Sequence, residues 1–259
     1  YNDYDLYITG SDQIWNLKLT GGDTTYFLSN VEDCSKKCSY AASFGYDSVP
    51  AEYLEITKEM FKNDFKALSV REQQGKEIIN NLVNKDSNVV LDPTLLLSKE
   101  DWFSLLDIKK TNDKPYILVY LPHNKDKVFK FAKKIAKEKN YEIKYVNITY
   151  IPMPGVSNYY DLSPQKFLEL LANASLVVTG SFHGVAFSIN FNKEFFYEDI
   201  GGSSKFGSRI SNLVGKVSLM DRIIDDNNNL SDLIDFSNVN KIINEDRKKS
   251  IEFIDNSIF

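Results

Sequence analysis

The chain has 259 residues, 42% hydrophobic and 26% charged, long enough for two modest α/β domains or one large one. A net charge of −5 gives no sign of a nucleic-acid-binding surface, though a local basic pocket is compatible with it. No apolar run approaches the ~20 residues of a membrane helix, no signal peptide opens the chain, and Cys34 and Cys38 lack the second ligand pair of a zinc site, so they read as reduced thiols of a cytosolic protein.

In chain order, residues 5–10 read as a buried strand that stops at Thr9-Gly10-Ser11, with a short helix over 12–17. The start at Tyr1, so close to that strand, predicts that N-terminal sequence is missing. Ser39–Gly45 reads as a second strand, 51–65 as a helix with Leu54, Met60, Phe61 and Phe65 on its apolar face, Ala67–Val70 as a strand before Arg71, and the stretch through Ile78, Ile79 and Leu82 as a helix. Strand Val89–Leu91 runs into Asp92-Pro93, and Ser98-x-x-Asp101 has the form of a capping box opening a helix that carries Trp102.

Polar 109–115 reads as a linker. Beyond it the alternation restarts: strand Tyr116–Leu121, helix 125–139, strand Glu142–Asn147, helix 164–173, strand Leu176–Thr179, helix 182–191, strand Glu194–Tyr197, and a last amphipathic helix over 239–256. Alternating strands and helices imply parallel sheets. Two such runs imply two Rossmann-like domains, 1–108 (lacking its first elements) and 115–224, facing across a cleft, with 225–259 packing back across the junction.

The word Thr-Gly-Ser occurs twice, each time at the end of a strand, the second time as Thr179-Gly180-Ser181-Phe182-His183-Gly184. A strand that turns into a helix there points backbone N–H groups at one spot, and the helix dipole favours an anion. His183 falls in the first helical turn, where a bound phosphate would lie. The plain alternative is a helix-start histidine satisfied by a carbonyl. Arg71 can offer a planar fork to an oxyanion, or pair with Glu72 or Glu77 on a solvated face. Asp12, at a strand end, reads equally as a helix cap and as a general base; Asp92 reads as a turn former before Pro93 and as the weaker base. Ser11 and Ser181 suit capping and phosphate contact alike. Lys205 and Arg209, in and after a glycine-rich loop, add positive charge if that loop meets a ligand. His123 reads as a surface turn residue at a strand end. Trp15 and Trp102 read as core.

These words, in this order, resemble the polysaccharide pyruvyl transferase family: Gly10-Ser11-Asp12-Gln13-Ile14-Trp15-Asn16, Ser39–Gly45, Ser69-Val70-Arg71-Glu72, Leu91-Asp92-Pro93-Thr94 and Val178–Gly184, with Arg209–Leu213 beyond them. The resemblance implies a fold similar to GT-B and transfer of a pyruvyl group from phosphoenolpyruvate to two hydroxyls of a sugar or glycan precursor, forming a ketal. No metal is demanded, since no His/Asp/Glu ligand cluster appears in the sequence, and no other cofactor is expected. It implies that His183 contacts the donor phosphate and Arg71 the donor, with Gly180, Ser181, Phe182 and Gly184 lining the same turn. Other members carry a basic residue where this chain has Ser181. The expected setting, from the reduced thiols, is the cytoplasm, near the inner face of the membrane. Two other functions fit the same fold: a GT-B glycosyltransferase using a nucleotide sugar, and a sugar- or phosphate-binding protein without turnover.

Overall fold

The computed structural model describes residues 4–62, 65–111, 113–121, 125–198, 209–225, 227–228 and 230–258. By its internal contacts the chain divides into two compact units. One comprises Tyr1–Leu96, Gly202–Asn212 and Ile243–Phe259; the other comprises Leu97–Gly201 and Leu213–Ile242. The first boundary thus falls at Leu96/Leu97 rather than in the polar stretch at 109–115, and helix α4 (Lys99–Leu106) belongs to the second unit.

In the first unit, β1 (Tyr7–Gly10) pairs in parallel with β2 (Lys37–Tyr40), and β3 (Ser69–Val70) with β4 (Asn88–Val89). Parallel bridges Cys38–Ala67 and Ala42–Val70 connect the two ladders. Two fully buried serines knit this seam: Ser39 Oγ donates to Ser69 O at 2.9 Å and Ser69 Oγ to Ser39 O at 2.8 Å. Side-chain hydroxyls thereby do the work of a longer backbone ladder. Strand β2 stops at Tyr40, short of the Ser39–Gly45 strand read from sequence, because Ala41 takes φ 53°. Strand β1 is not the buried strand the sequence suggests: Ile8 is 48% exposed.

The helix read over 12–17 is also absent. Ser11 and Asp12 are left-handed, at φ 45° and 60°, and the first helical turn is α1 (Leu17–Thr20), capped by Asn16. Tertiary packing explains the shift. Trp15 is fully buried, its ring 5.5 Å from Phe27, 5.3 Å from Phe44 and 5.1 Å from Phe61, and the Trp15 amide donates to Ser43 O. The 51–65 helix is a 3-10 turn, Ala51–Tyr53, followed by α2 (Leu54–Met60); α3 (Gln73–Val83) buries Ile78 and Ile79. Helix α9 (Phe236–Phe253) starts three residues earlier than read and ends in a π turn, Ile254–Ile258. Its later residues bind within the first unit: Leu91 N donates to Ser250 Oγ at 2.9 Å and Arg247 Nε to Leu95 O at 2.8 Å.

The second unit holds one five-stranded parallel sheet in the order β7-β6-β5-β8-β9. Its strands are β5 (Tyr116–Tyr120), β6 (Glu142–Val146), β7 (Ser157–Tyr159), β8 (Leu176–Thr179) and β9 (Phe195–Tyr197). Relabelled by chain order this is 3-2-1-4-5, the Rossmann order, which reverses between β5 and β8. Helices α5 (Lys125–Lys139), α6 (Pro164–Asn173) and α7 (Phe182–Asn190) connect the strands, close to their sequence-read limits. One core joins Ile117, Val119, Val128, Phe131, Ile135, Leu176 and Val178. Strand β7 had no sequence signal, being three residues, Ser-Asn-Tyr, with no apolar alternation. The capping box at Ser98 and Asp101 opens α4 as read. Helix α8 (Arg209–Lys216) follows the undescribed residues 199–208. Among the described residues no helix is long and apolar enough to cross a membrane.

Candidate functional site

Two sets of the sequence-read residues form, one in each unit. In the second unit the set lies where the strand order reverses. Ligands of open α/β sheets bind outside the carboxyl ends of the strands at such a point. Strand β8 ends in Thr179, Gly180 turns, and Ser181 caps α7 by accepting from the Gly184 amide at 3.4 Å. The Gly180 amide donates to Tyr120 O at 3.3 Å and the Ser181 amide to Thr179 Oγ1 at 3.0 Å; Thr179 Oγ1 itself donates to Tyr120 O at 2.8 Å. These bonds tie β8 to the end of β5.

Three of the five amides expected to face an anion, those of Gly180, Ser181 and Gly184, are therefore engaged within the protein. The anion-attracting capacity of the turn rests on the dipole of α7 and on the His183 side chain. Every residue of α7 is buried except His183, which is half-buried with its ring edge-on to Phe182 at 5.4 Å. His183 is thus the one residue of the helix that is not fully enclosed. Gly184 has no room for a side chain: an added Cβ would lie 2.4 Å from Thr179 Oγ1. Tyr120, read only as a strand residue, joins this set. Its half-buried hydroxyl shares a hydrogen bond with Ser181, and burial pushes its pKa up against that bond. Trp102 is half-buried against Phe187, 5.5 Å between rings.

In the first unit Arg71 is the hub. Its side chain is 3% exposed; Nη1 donates to Asp92 Oδ2 at 2.7 Å and Nε to Glu72 Oε1 at 3.1 Å. The solvated pairing considered for Arg71 is corrected: its partners Glu72 and Asp92 are both buried, and Glu77 instead accepts from Gln73. Asp92 Oδ2 also accepts from Ser11 Oγ at 2.6 Å, and its Oδ1 from the amide and hydroxyl of Thr94 at 3.0 and 2.8 Å. Burial alone would raise the Asp92 pKa, but the Arg71 charge and these bonds hold it below the usual carboxylate value. A buried carboxylate with four donors is a turn former and an arginine clamp, and is poorly placed to take a proton from an acceptor hydroxyl.

Glu72 was read only as a surface partner. Ser43 Oγ donates to its Oε1 at 2.8 Å, and burial raises its pKa more than Arg71 and Ser43 lower it. Arg71 is driven the other way from its own burial by Glu72 and Asp92 and keeps its proton more firmly.

Asp12 sits at the open edge of this hub. Its side chain is 60% exposed; Oδ1 accepts from the Gln13 amide at 2.8 Å, lies 3.3 Å from Arg209 Nη1 and 3.8 Å from Arg71 Nη2. It caps no helix, and its carboxylate has the position of a counter-ion to two guanidinium groups. Arg209, 23% exposed at the side chain, has its pKa lowered by burial and then by the charge of Arg71, against the pull of Glu72, Asp12 and Asp92. Lys205 and His123 lie outside the described residues. Gly10 lets β1 approach β2: a Cβ there would lie 2.1 Å from Tyr40 O.

Parallel strands in Rossmann order, with polar residues gathered at their carboxyl ends, define an α/β protein of the Rossmann-like class. Within that class, the family model for polysaccharide pyruvyl transferase matches residues 1–199, and the chain belongs to that family. No curated protein matches it. Among solved structures, it resembles the UDP-GlcNAc 2-epimerase of Methanocaldococcus jannaschii at 13% identity and TM-score 0.45, over 78% of this chain and 57% of that one. A putative UDP-N-acetylglucosamine 2-epimerase from Listeria monocytogenes matches at 12% identity and TM-score 0.40, over 78% and 53%. The wall teichoic acid polymerase TagF matches at 14% and 0.40, over 81% and 57%. The chain spans little more than half the length of these structures, and likeness at this level carries no functional argument.

Proposed function

We propose that the chain acts as a ketal-forming transferase, moving a pyruvyl group from phosphoenolpyruvate to two hydroxyls of a sugar in a polysaccharide or glycan precursor. Family membership supports the class of reaction. The single observation that carries the choice of donor site is His183, the one half-buried residue of an otherwise buried helix, at the amino end of α7 and at the strand-order reversal.

In the proposed reaction the methylene carbon of the donor takes a proton, C2 becomes oxocarbenium-like, one acceptor hydroxyl attacks, the C–O bond to phosphate breaks, and the second hydroxyl closes the ring. The two hydroxyl protons balance the sum: one is accounted for at the new methyl group and one on phosphate. His183 holds the phosphate and passes it a proton as it leaves. Tyr120 and Ser181 fix the turn beneath it. The resemblance assigns Arg71 to the donor as well; within its own unit its guanidinium is held in orientation by Glu72 and Asp92. No cofactor enters this scheme.

Phosphate release from phosphoenolpyruvate, measured over a panel of acceptor sugars, tests the reading. Release should depend on the acceptor, and His183→Ala should slow it about 10²- to 10⁴-fold while leaving the fold intact. Acceptor-dependent release that is unchanged in that variant contradicts the assigned site. A thermal-shift panel separates donors: stabilisation by phosphoenolpyruvate supports the proposal, and stabilisation by a nucleotide sugar alone supports a glycosyltransferase instead.

A further inference from the structure

Hydrogen bonds draw four stretches of the second unit to one corner, at the amino ends of β8 and β9 and away from the Thr179 turn. Lys193, in the turn between α7 and β9, donates from Nζ to Ala172 O at 3.0 Å. The adjoining Asn173 accepts from the Thr111 amide at 2.9 Å and donates to Lys109 O at 2.9 Å, which sets Lys110 between them. Asn190 donates to Leu97 O at 3.0 Å and so brings the start of α4, with Lys99, to the end of α7. Three lysines therefore share this corner.

Among the described residues no carboxylate answers them. Lys193 is half-buried on the Ala172 carbonyl, Lys99 lies over the Phe103 ring at 5.6 Å, and Lys110 is exposed. The acids of the same stretches turn elsewhere: Asp107 to Lys109 at 3.0 Å, Asp113 to Lys144 at 3.0 Å, Glu169 to Lys166 at 2.8 Å, and Glu194 to Arg222 at 3.3 Å and the Ile234 amide at 2.9 Å. Asp101 closes the capping box with Ser98, and Glu100 stands in solvent on α4. Burial, then the charges of Lys99 and Lys110, push the Lys193 pKa down to about 8. A lysine desolvated beside other cations is activated as a nucleophile. The bond to Ala172 O uses an N–H and leaves the nitrogen lone pair of the neutral amine free to attack.

We propose that Lys193 is an acylation site for small acyl phosphates, with Lys99 and Lys110 drawing in the reagent's phosphate. The neutral amine attacks the acyl carbon, a C–N bond forms, the C–O bond to phosphate breaks, and phosphate leaves with the electron pair. The amine's extra proton passes to solvent, and the product is an uncharged amide. The acyl phosphate is the co-reactant, and nothing is oxidised or reduced. Acylation removes a cation that no carboxylate compensates. The site stands apart from the transferase reading, since it uses neither His183 nor Arg71.

Acetylation of the folded full chain by acetyl phosphate tests this, followed residue by residue with peptide mass spectrometry and with N-acetyl-lysine amide in the same tube as a standard. At about pH 7.5 Lys193 should react about tenfold faster than the standard, and its rate should level off above about pH 8 while the standard's keeps climbing past about pH 10. In urea sufficient to unfold the chain the preference should vanish. Lys99→Gln combined with Lys110→Gln should slow Lys193 about threefold with acetyl phosphate and less with the neutral ester N-acetoxysuccinimide, because only the first reagent is an anion. Circular dichroism confirms that the variant is folded. A Lys193 rate no faster than the standard, a rate that climbs with the standard, or a preference that persists in urea overturns the proposal. Equal slowing with the two reagents removes the role given to Lys99 and Lys110 and overturns it likewise.

Discussion

The residues that decide local geometry here are those with no side chain and those with two jobs. Gly184 lets the first turn of α7 close against Thr179, whose hydroxyl both donates to Tyr120 O and accepts from the Ser181 amide. Gly184→Ala should therefore cost about 1–3 kcal/mol through overpacking, seen as a lower denaturation midpoint with an unchanged slope. Arg71 is more severe. A buried ion deleted from between two buried carboxylates leaves both uncompensated, so Arg71→Met should destabilise the protein by about 3–5 kcal/mol in urea unfolding. Much of this was legible from residues. Ser181 as an N-cap and His183 in the first turn follow from a strand, a cap and a helix that are all local in sequence. Asp12 was not, because its left-handed φ and its two arginine partners depend on the burial of Trp15 and on Arg209, 197 positions away.

At the scale of elements, the short strands of the first unit rely on side chains. Ser39 and Ser69 exchange hydroxyl bonds across the β2–β3 seam, and the Ala41 amide donates to Ser69 Oγ at 3.1 Å. Ser69→Ala would leave buried polar groups unpaired and should cost about 1–3 kcal/mol by the same unfolding measurement. In the second unit, the turn between α7 and β9 carries Lys193, whose Nζ donates to Ala172 O near the end of α6. Burial, with Lys99 and Lys110 nearby, pushes its pKa down from 10.5 to about 8. The folded state binds this proton less tightly than the unfolded state, so stability rises with pH between about 8 and 10.5 and the penalty is constant below that window. Lys193→Met should accordingly be more stable than wild type near neutral pH, and unfolding curves should show that advantage shrinking as pH climbs from 8 to 10.5. Helices of the second unit were legible because their apolar periodicity is long. Strand β7 and the one-turn α1 were not, because three or four residues leave no period to read.

At the scale of the whole molecule, the alternation of strands and helices announced parallel α/β architecture, and the 3-2-1-4-5 order of the second unit supplies what alternation alone does not: the point where the sheet reverses, outside which open α/β sheets bind their ligands. The second Thr-Gly-Ser lies at that point, with His183 half-buried in an otherwise buried helix. The first Thr-Gly-Ser serves a different end, placing Ser11 and Asp12 over an arginine hub. A crystal of the protein soaked with phosphoenolpyruvate tests the central claim most directly. The account predicts density for the donor phosphate against the His183 imidazole at the amino end of α7; a bound donor whose phosphate lies away from His183 would contradict it.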